Sequence, residues 1–301
     1  MAGKKILVIG SSNTDMTVQT ANLPLPGETV LGGVFTMGPG GKGANQAVAV
    51  KRLGGDVSFI CKVGNDIFGD NAIAHYNREG IDTGGILRSE KPSGVALITV
   101  DAKAENCIVV ASGANADFTE EDIEKCRPAL ESCGILLLQL EIPIPAVVKA
   151  AKIAHDAGAT VVLNPAPAAD LPDEIFRYIS LFIPNETELA RFSGVEIHCE
   201  NCAKRAAKVM VGKGVRQIIV TMGGKGSLIT DGENAVMVPA RKVQAVDTTA
   251  AGDTYCGALC VALSEGKSLV EAAEFATAAS ALTVQKIGAQ NSIPTRSEIQ
   301  K

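Results

Sequence analysis

Aromatic residues are scarce in this chain of 301 residues: tryptophan is absent, and phenylalanine and tyrosine together make up 4% of the sequence. Proteins that bind single-stranded nucleic acid stack the bases on aromatic side chains, so the chain has little from which to build such a surface. A sugar cleft lined by stacked rings is disfavoured for the same reason. A binding site made of polar groups remains open.

Clustered basic charge and long apolar runs are also missing. The sequence has 28 Lys and Arg against 33 Asp and Glu, a formal net charge of −5, and affinity for phosphate backbones depends on grouped Lys and Arg. No segment approaches the roughly 20 apolar residues of a membrane span, and the first apolar run is too short for a signal-peptide core. These absences argue against nucleic-acid and membrane partners and predict a cytoplasmic location.

The eight cysteines do not predict a disulfide framework, because most of them lie in apolar stretches, where cysteine packs as a small hydrophobic residue. The cysteines in apolar stretches are Cys61, Cys107, Cys133, Cys256 and Cys260. Cys199 and Cys202 have the spacing of a redox pair or of half a zinc site, with His198 beside them. No second pair follows, which favours ordinary surface cysteines over a metal or redox site.

Apolar segments of strand length alternate with segments of helical period. The strand-like segments are residues 5–10, 57–63, 135–140, 159–163, 181–183 and 217–221, and the helix-like segments are residues 43–53, 71–80, 119–133, 146–157 and 201–211. Thr119 and Asp122 have capping-box spacing, and Gly158 is placed to end a helix. This alternation predicts right-handed βαβ units, and hence an α/β fold with a mainly parallel, doubly wound sheet between layers of helices.

Two regions interrupt the alternation. Residues 15–19 and 29–37 are strand-like and close in sequence, and residues 95–100 and 107–111 predict a hairpin around a polar loop. Strands that pair locally and antiparallel do not fit a doubly wound core. They predict a small sheet beside it, acting as a lid or a dimerisation surface, with extra edge strands of the main sheet as the alternative.

A glycine-rich segment, Gly38-Pro39-Gly40-Gly41-Lys42-Gly43, precedes the first predicted helix. Its letters match the dinucleotide pattern G-x-G-x-x-G, but it lies far beyond the first strand and no acidic residue follows at the expected spacing. It is not a Walker A loop, because Gly43 follows Lys42. A plain turn is one interpretation. Direct entry into a helix favours a ligand site, in which backbone N–H groups, Lys42 and Asn45 donate hydrogen bonds.

Two aspartates flank a run of threonine, alanine and glycine, Asp247-Thr248-Thr249-Ala250-Ala251-Gly252-Asp253, just before the apolar segment 255–263. Small residues at a helix start leave N–H groups free to hold anionic oxygen. An ordinary N-cap is the alternative, but a cap needs one acidic residue. The second aspartate would place a carboxylate acceptor beside an anion hole, as transfer of a charged group to a hydroxyl requires.

A third polar segment, Asn185-Glu186-Thr187-Glu188, follows the predicted strand at 181–183. Carboxylates at the carboxyl end of a parallel strand lie where open α/β sheets bind ligands. Such oxygens suit Mg²⁺ that is held partly through water. A helix N-terminus with acidic residues in its first turn is an equally good interpretation of the segment.

Four segments together resemble the ribokinase family of carbohydrate kinases in order and spacing. They are residues 41–45 (Gly-Lys-Gly-Ala-Asn), 164–167 (Asn-Pro-Ala-Pro), 185–188 (Asn-Glu-Thr-Glu) and 247–253 (Asp-Thr-Thr-Ala-Ala-Gly-Asp). The resemblance covers essentially the whole chain. It implies ATP-dependent phosphorylation of D-ribose at O5 by one ribokinase-like α/β domain, residues 1–301, with lid strands from about 14–38 and 94–112. It also implies a homodimer joined through the lid strands.

The resemblance implies roles for the residues at matching positions. Asp253 would be the catalytic base, and the N–H groups of Ala250, Ala251 and Gly252 would hold the transferring phosphoryl group. The implied sugar-binding residues are Asn13, Asp15, Gly41, Lys42, Gly43, Asn45, Glu141 and Asp253. The implied nucleotide-binding residues are Asn185, Thr221, Gly223, Gly226, Gly252 and Thr277.

Two metal ions are implied in the same way. Mg²⁺ would be held through water by Glu188. The ligands of a monovalent cation, K⁺, would be the side chains of Asp247 and Ser292 and the backbone oxygens of Thr249, Thr283, Lys286 and Gly288. The chain departs from the family pattern at Thr277, where a His near the adenine is customary, and its end at Lys301 predicts a shortened C-terminal helical stretch.

Other functions stay open at this point. Within the family, the chain could phosphorylate deoxyribose, fructose or a nucleoside. Outside it, a sugar-binding regulator without turnover is an alternative, although the presence of Lys42, Glu141, Glu188 and Asp253 together favours an enzyme. An NAD-dependent oxidoreductase rests on the glycine letters alone and is disfavoured.

Overall fold

The computed structural model describes residues 3–103 and 105–299. Residues 1, 2, 104, 300 and 301, which belong to the expected domain 1–301, lie outside the described residues. The strands are β1 (Ile6–Ile9), β2 (Asn13–Gln19), β3 (Val34–Gly40), β4 (Val57–Ile60), β5 (Lys62–Gly64), β6 (Leu87–Ser89), β7 (Gly94–Val100), β8 (Asn106–Ala111), β9 (Ile135–Leu138), β10 (Thr160–Leu163), β11 (Leu181–Phe182), β12 (Gln217–Thr221), β13 (Gly226–Thr230) and β14 (Ala235–Pro239).

The α-helices alternate with these strands through most of the chain. They are α1 (Lys42–Arg52), α2 (Ile67–Arg78), α3 (Glu120–Lys125), α4 (Arg127–Ser132), α5 (Ile144–Asp156), α6 (Glu186–Ser193), α7 (Glu200–Gly212), α8 (Ala251–Ser264), α9 (Leu269–Thr283) and α10 (Arg296–Ile299). Over residues 3–103 and 105–299, none of the helices combines the length and the apolar character needed to cross a membrane.

The central sheet has eight strands in the order β14-β13-β12-β11-β10-β9-β1-β4. Its strands run parallel from β4 to β12, while β13 and β14 add an antiparallel edge. Ile6 in β1 lies opposite Val57 in β4 and Ile135 in β9. The prediction of a mainly parallel sheet is confirmed.

Helices cover both faces of this sheet. Side chains alternate along a strand, so Ile6 and Val8 pack toward α1, α8 and α9, whereas Leu7 and Ile9 pack toward α5 and α7. All four side chains are almost fully buried. Burial on both faces explains why the parallel strands are continuous apolar runs in the sequence.

The close packing of α1 against α8 depends on a glycine. A Cβ atom at Gly257 would lie 2.7 Å from the Cβ of Ala49 and 3.0 Å from the carbonyl oxygen of Gln46. Because only a residue without a side chain fits there, the two helices approach closely. Their N-terminal turns, which hold Asn45 and Asp253, are thereby brought side by side.

A separate four-stranded sheet, here called the small sheet, has the order β3-β2-β7-β8. It contains the segments that the sequence placed outside the core, with one difference. Strand β3 begins at Val34 and continues through Pro39 to Gly40, so the first part of the glycine-rich segment is a strand and not a loop. Proline is tolerated there because β3 is an edge strand.

Several element boundaries differ from the sequence-based predictions. The segment 57–63 divides into β4 and β5, and β5 pairs with β6 outside the central sheet. The segment 119–133 is two helices, since α4 begins with Arg127-Pro128 and proline has no N–H to continue α3. The capping box of Thr119 and Asp122 is confirmed, and Gly158 follows the end of α5 with a φ of 86°.

Candidate active site

The polar segments that the sequence singled out follow the carboxyl ends of parallel strands. Asn13 lies shortly after β1, Glu141 after β9, Asn185 after β11 and the glycine turn 223–226 after β12. Because these strands are parallel and adjacent, their carboxyl ends lie along one edge of the sheet, which is where α/β folds bind ligands. The start of α8, with Asp253, faces the same edge.

The glycines before α1 are required by close packing. Gly41 has a φ of 89°, and a Cβ there would lie 2.8 Å from the backbone nitrogen of Asn13. A Cβ at Gly40 would collide with the carboxylate of Asp15. These glycines therefore allow the chain to pass directly over β2 and leave the Asp15 carboxylate in place.

The N–H groups at the start of α1 already have partners, which differs from the expectation that they are free for a ligand. Glu141 accepts the N–H of Lys42 through Oε2 at 2.9 Å. Ser11 Oγ donates to the same oxygen at 2.5 Å and accepts the N–H of Gly43 at 3.3 Å. Within the described chain, Oε1 of Glu141 makes no hydrogen bond. One carboxylate oxygen therefore caps the helix, and the other is available to a ligand.

A cavity of about 320 Å³ lies beside these groups. Asn13 and Glu141 line it, and Val110 from the small sheet forms part of its wall. Asn115 fixes Asn13, since its Nδ2 donates to Asn13 Oδ1 at 2.7 Å while its Oδ1 accepts the N–H of Ser12 at 2.9 Å. A larger groove of about 900 Å³ beside α5 contains none of the predicted site residues.

Several charged side chains lie within electrostatic reach of Glu141, which lines this cavity. Burial, and after it the charges of Glu141 and Asp253, raises the pKa of Asp15 from 3.8 to about 6. The charge of Asp253, followed by that of Glu141, raises the pKa of Lys42, although burial opposes the shift. Three acidic side chains and one lysine thus lie close enough to influence one another in a partly buried site.

Asp253 is 5% exposed and is held by two carboxamides from α1. Its Oδ2 accepts a hydrogen bond from Nδ2 of Asn45 at 2.9 Å, and its Oδ1 accepts one from Nε2 of Gln46 at 3.1 Å. Gln46 Nε2 also donates to Oδ1 of Asn164 at 3.2 Å, and Gln46 Oε1 accepts Nε2 of Gln139 at 2.5 Å. The buried Oδ1 of Asn45 has no partner in the described chain and is free to accept a ligand hydroxyl.

Helix α8 begins without a side-chain cap. Ala250 adopts the left-handed conformation with a φ of 59°, which costs a non-glycine residue roughly 1–2 kcal/mol. The N–H of Ala251 donates to the Thr248 carbonyl at 3.2 Å, whereas those of Ala250, Gly252 and Asp253 make no hydrogen bond within the described residues. Two of the three N–H groups expected in the anion hole, those of Ala250 and Gly252, are therefore free.

Asn185 and Glu188 form the start of α6, as the helix interpretation of their segment predicts. Asn185 Oδ1 accepts the N–H of Glu188 at 2.7 Å, and Glu188 Oε2 accepts the N–H of Asn185 at 2.9 Å, a complete capping box. Burial raises the pKa of Glu188, and the nearby charges include Lys42 and Asp253. Glu188 therefore caps a helix and also lies within electrostatic reach of Lys42 and Asp253.

The glycine turn after β12 lies next to this capping box. Thr221 is bridged to Asn185, and Lys225 Nζ contacts Oε1 of Glu186 at 3.2 Å. Gly223 is exposed with open space above it, and Gly226 has a φ of 108° where its backbone meets β14.

Thr277 lies on α9, and its buried Oγ1 has no partner in the part of the chain that the structure describes.

The residues expected at the cation site lie around Asp247. Its Oδ1 accepts the N–H and Oγ1 of Thr249 at 2.9 and 2.6 Å, and its Oδ2 accepts the N–H of Gly288 at 2.8 Å. These hydrogen bonds lower the pKa of Asp247 against the opposing effect of burial. Thr283 and Ser292 are fully buried, and the Thr283 carbonyl accepts the N–H of Lys286 at 3.1 Å. The Asp247 carboxylate thus links Thr249, before α8, to Gly288, after α9.

Sequence reasoning assigned no role to several residues that hold the site together. They are Ser11, Gln46, Asn115, Gln139 and Asn164. A signal was present for two of them, because Gln46 and Gln139 are polar residues inside apolar segments and prove fully buried. Buried polar groups require hydrogen-bond partners, which marks such positions as parts of a network.

Comparison with known proteins gives full-length similarity to sugar kinases. The ribokinase of Haemophilus influenzae is 43% identical over 296 residues, covering 98% of this chain and 97% of the relative. A deoxyribokinase of Salmonella typhi is 38% identical over 292 residues, covering 96% and 95%. The structure of Arabidopsis thaliana ribokinase complexed with ribose and ATP has a TM-score of 0.91 at 33% identity, covering 100% of this chain and 98% of the other.

Fold and site together define an α/β kinase of small carbohydrates. The family described as pfkB family carbohydrate kinase matches residues 3–296, and the chain belongs to this family. Its architecture is the ribokinase-like one, with a mainly parallel central sheet, helices on both faces and a small separate sheet.

Proposed function

We propose that this protein transfers the γ-phosphoryl group of ATP to the 5-hydroxyl of D-ribose, forming D-ribose 5-phosphate and ADP. The observation that supports it best is the placement of the Asp253 carboxylate. It lies at the uncapped N-terminus of α8, next to free N–H groups, and beside Asn45, on the edge of the sheet that holds Asn13, Asp15 and Glu141. Full-length similarity to ribokinases supports the choice of sugar.

Recognition of the pentose would rely on acceptors and donors rather than on aromatic stacking. The side-chain carboxylate of Asp15 makes no hydrogen bond within the described chain, and Oε1 of Glu141 is free, so both groups can accept hydrogen bonds from sugar hydroxyls. Lys42 and Asn13 supply donors, and Asn45 offers its free Oδ1. A polyhydroxylated ligand can satisfy several of these groups at once, which offsets the burial of their charge.

Asp253 would accept the proton of the 5-hydroxyl as that oxygen attacks phosphorus. The amides of Asn45 and Gln46 hold its carboxylate in one orientation, which pre-organises the acceptor. The free N–H groups of Ala250 and Gly252, at the positive end of α8, would stabilise charge on the transferring phosphoryl oxygens. Because this transition state is loose, positioning and electrostatics account for most of the catalysis.

The nucleotide would lie across the glycine turn 223–226 and toward Thr277, with Asn185 and Thr221 near its phosphates. The chemistry of Glu188 fits Mg²⁺, since one carboxylate oxygen is free and the site is rich in negative charge; Mg²⁺ would neutralise charge between the phosphates. The oxygens around Asp247 fit K⁺, which would order the loop before α8. The proposal includes a cytoplasmic location.

Deoxyribose is the second candidate substrate, because a deoxyribokinase is 38% identical over nearly the full chain. The two sugars differ only in the 2-hydroxyl. A site built to hydrogen-bond that hydroxyl rejects the analogue that lacks it, since buried polar groups are then left unpaired. The free carboxylate oxygens of Asp15 and Glu141 favour the sugar with more hydroxyls.

A homodimer through the small sheet is part of the proposal. Met16 is paired in register with Met37 and Leu97, and Leu97 with Val109, so all four lie on one face. Three of them are about half exposed: Met37 by 53%, Leu97 by 51% and Val109 by 62%. The opposite face holds Asp15 and the cavity wall. An apolar face on the outer side of the site is suited to a second copy.

A sugar panel tests the function. Purified protein with MgATP is assayed on ribose, deoxyribose, fructose and a nucleoside, with K⁺ and with a large organic cation in its place, and kcat/KM is compared. We expect ribose first and higher rates with K⁺. A nucleoside far ahead of ribose would overturn the substrate. Calorimetric ribose binding without any phosphoryl transfer would instead support a sugar-binding regulator.

A further inference from the structure

The pair Cys199 and Cys202 lies at the start of α7, and its geometry differs from that of two ordinary surface cysteines. Cys199 is the N-cap residue, and its Sγ accepts the N–H of Cys202 at 3.2 Å. The two sulfur atoms are 2.6 Å apart. The two sulfur atoms are therefore close to the separation of about 2.05 Å that a sulfur–sulfur bond requires.

The surroundings of the pair favour a thiolate. Both sulfurs lie in the first turn of α7, where the partial positive charge of the helix N-terminus stabilises an anion. The hydrogen bond from Cys199 lowers the pKa of Cys202, and Arg205 acts in the same direction. Cys199 is exposed and Cys202 half-buried, so both can be reached from solvent.

The buried cysteines are in the opposite situation. Burial raises the pKa of Cys133 to about 11 and that of Cys260 to about 12, and the pKa of Cys61 and Cys256 is raised as well. A protonated, enclosed thiol reacts slowly. Oxidation should therefore favour residues 199 and 202 over these four buried cysteines.

A metal centre does not fit the same residues. His198 is paired through Nε2 with Oε2 of Glu196 at 3.0 Å. Among residues 3–103 and 105–299, no group of three or more His, Cys, Asp or Glu side chains is arranged to hold a metal ion. The described side chains near the pair therefore offer no complete ligand set for a metal ion.

We propose that Cys199 and Cys202 form a reactive dithiol, which small-molecule disulfides of the glutathione type oxidise to an intramolecular disulfide. The Cys202 thiolate attacks one sulfur of the small disulfide, whose S–S bond breaks and releases one thiol after protonation. Cys199 then loses its proton and attacks the sulfur of Cys202. The mixed disulfide breaks and a second thiol leaves. Two protein thiols are oxidised, and one small disulfide is reduced to two thiols.

The test uses the reduced full-length protein, incubated with oxidised glutathione, quenched with an alkylating reagent and mapped by peptide mass spectrometry. In the wild-type chain we expect a disulfide between Cys199 and Cys202, no lasting glutathione adduct on either, and reversal by dithiothreitol. Two free, alkylated thiols at both positions would overturn the proposal. A stable glutathione adduct on the wild-type pair would also overturn it, because the second sulfur would then have failed to react.

Two serine variants assign the roles of the two sulfurs. Serine is a good N-cap residue, so α7 remains capped in C199S. In C199S the glutathione adduct should accumulate on Cys202, because no second thiol resolves it. In C202S the adduct on Cys199 should form more slowly. If the glutathione adduct forms at equal rates in the two variants, the folded geometry confers no special reactivity. The same conclusion follows if the oxidation rate of the wild-type pair does not fall when the protein is unfolded in guanidinium.

Discussion

Gln46 donates a hydrogen bond from Nε2 to Oδ1 of Asp253 over 3.1 Å. An ionised carboxylate only accepts hydrogen bonds, so it fixes which end of the Gln46 amide faces it. Oε1 of Gln46 must then face away, where it accepts Nε2 of Gln139 at 2.5 Å. The charge of the base thereby orients two successive buried amides.

The first prediction concerns variants in which the carboxylate of Asp253 and the carboxamide of Gln46 exchange places. Asp253→Asn places an NH₂ group against the NH₂ group of Asn45 or Gln46, so we expect a loss of stability of about 1–3 kcal/mol and a fall in kcat of about 10²- to 10⁴-fold. Adding Gln46→Glu supplies an acceptor for the NH₂ group that the first substitution introduces. The double variant should regain only part of the stability, because the hydrogen bond from residue 46 to Oδ1 of Asn164 is still lost. It should not regain activity, since the carboxylate has left position 253.

Thermal or urea unfolding of the wild type, both single variants and the double variant measures the coupling free energy, expected at about 0.5–3 kcal/mol. Ribose binding by calorimetry shows whether the sugar site survives. Additive losses of stability would contradict the network. Recovered turnover in the double variant would contradict the role of Asp253 as the base.

The second prediction follows from Asp15. Burial, with the charges of Glu141 and Asp253, raises its pKa to about 6, so the folded state binds more protons than the unfolded chain between about pH 4 and pH 6. The contribution of Asp15 to stability is therefore complete below 3.8, the pKa of its carboxyl group in the unfolded chain, and is lost as the pH rises through about 6. Asp15→Asn should stabilise the protein at pH 7.5 by up to about 3 kcal/mol.

Urea unfolding at pH 7.5 and pH 4 checks this, because the difference in stability between variant and wild type should become small at pH 4, close to the pKa of Asp15 in the unfolded chain. The same variant should raise KM for the sugar, since it removes a charged acceptor. A variant that is less stable at pH 7.5 would show that Asp15 is not a buried, unpaired charge. Stability gained with an unchanged KM would remove it from the sugar site.

The third prediction separates two roles of Glu188. Its Oε2 accepts the N–H of Asn185 in a capping box, a contact that glutamine also makes. Glu188→Gln should therefore change the free energy of unfolding by less than about 0.5 kcal/mol. The Mg²⁺ concentration for half-maximal activity should rise roughly 10- to 100-fold, because a water-mediated carboxylate is lost.

Glu271 provides a matched control. It forms the same capping box with Ser268 at the start of α9, and its side chain is exposed. Glu271→Gln should leave both stability and Mg²⁺ dependence as they are. If Glu188→Gln behaves like Glu271→Gln, Glu188 is only a cap.

The sequence allowed the central sheet and most helices to be predicted because each is a local pattern. The hairpin of β13 and β14 was not predicted, although Asp231-Gly232 between two apolar runs is a hairpin signal. Helix α9 was not predicted either. It is rich in alanine and buried on most sides, so it lacks a clear apolar stripe.

The site likewise contains residues that a local pattern indicates and contacts that only the folded chain brings about. Asn45 and Asp253 lie in recognisable segments, and their residue types indicate their chemistry. The hydrogen bonds of Gln46 join positions 93 and 207 residues apart in sequence. Such contacts depend on how α1 packs against α8 and β9, which no local pattern encodes. The orientation of the base could therefore be learned only from the folded chain.

The last prediction concerns the outer face of the small sheet. Leu97→Glu places a charge at the centre of the face formed with Met16, Met37 and Val109, where a second copy would have to bury it without a partner. We expect light scattering to give twice the chain mass for the wild type and the chain mass for the variant. Val236→Glu is the control, because Val236 is 46% exposed on β14, at the edge of the central sheet, and should leave the dimer intact. A wild-type protein that is monomeric at assay concentrations, or a dimer that tolerates Leu97→Glu but not Val236→Glu, would place the contact elsewhere.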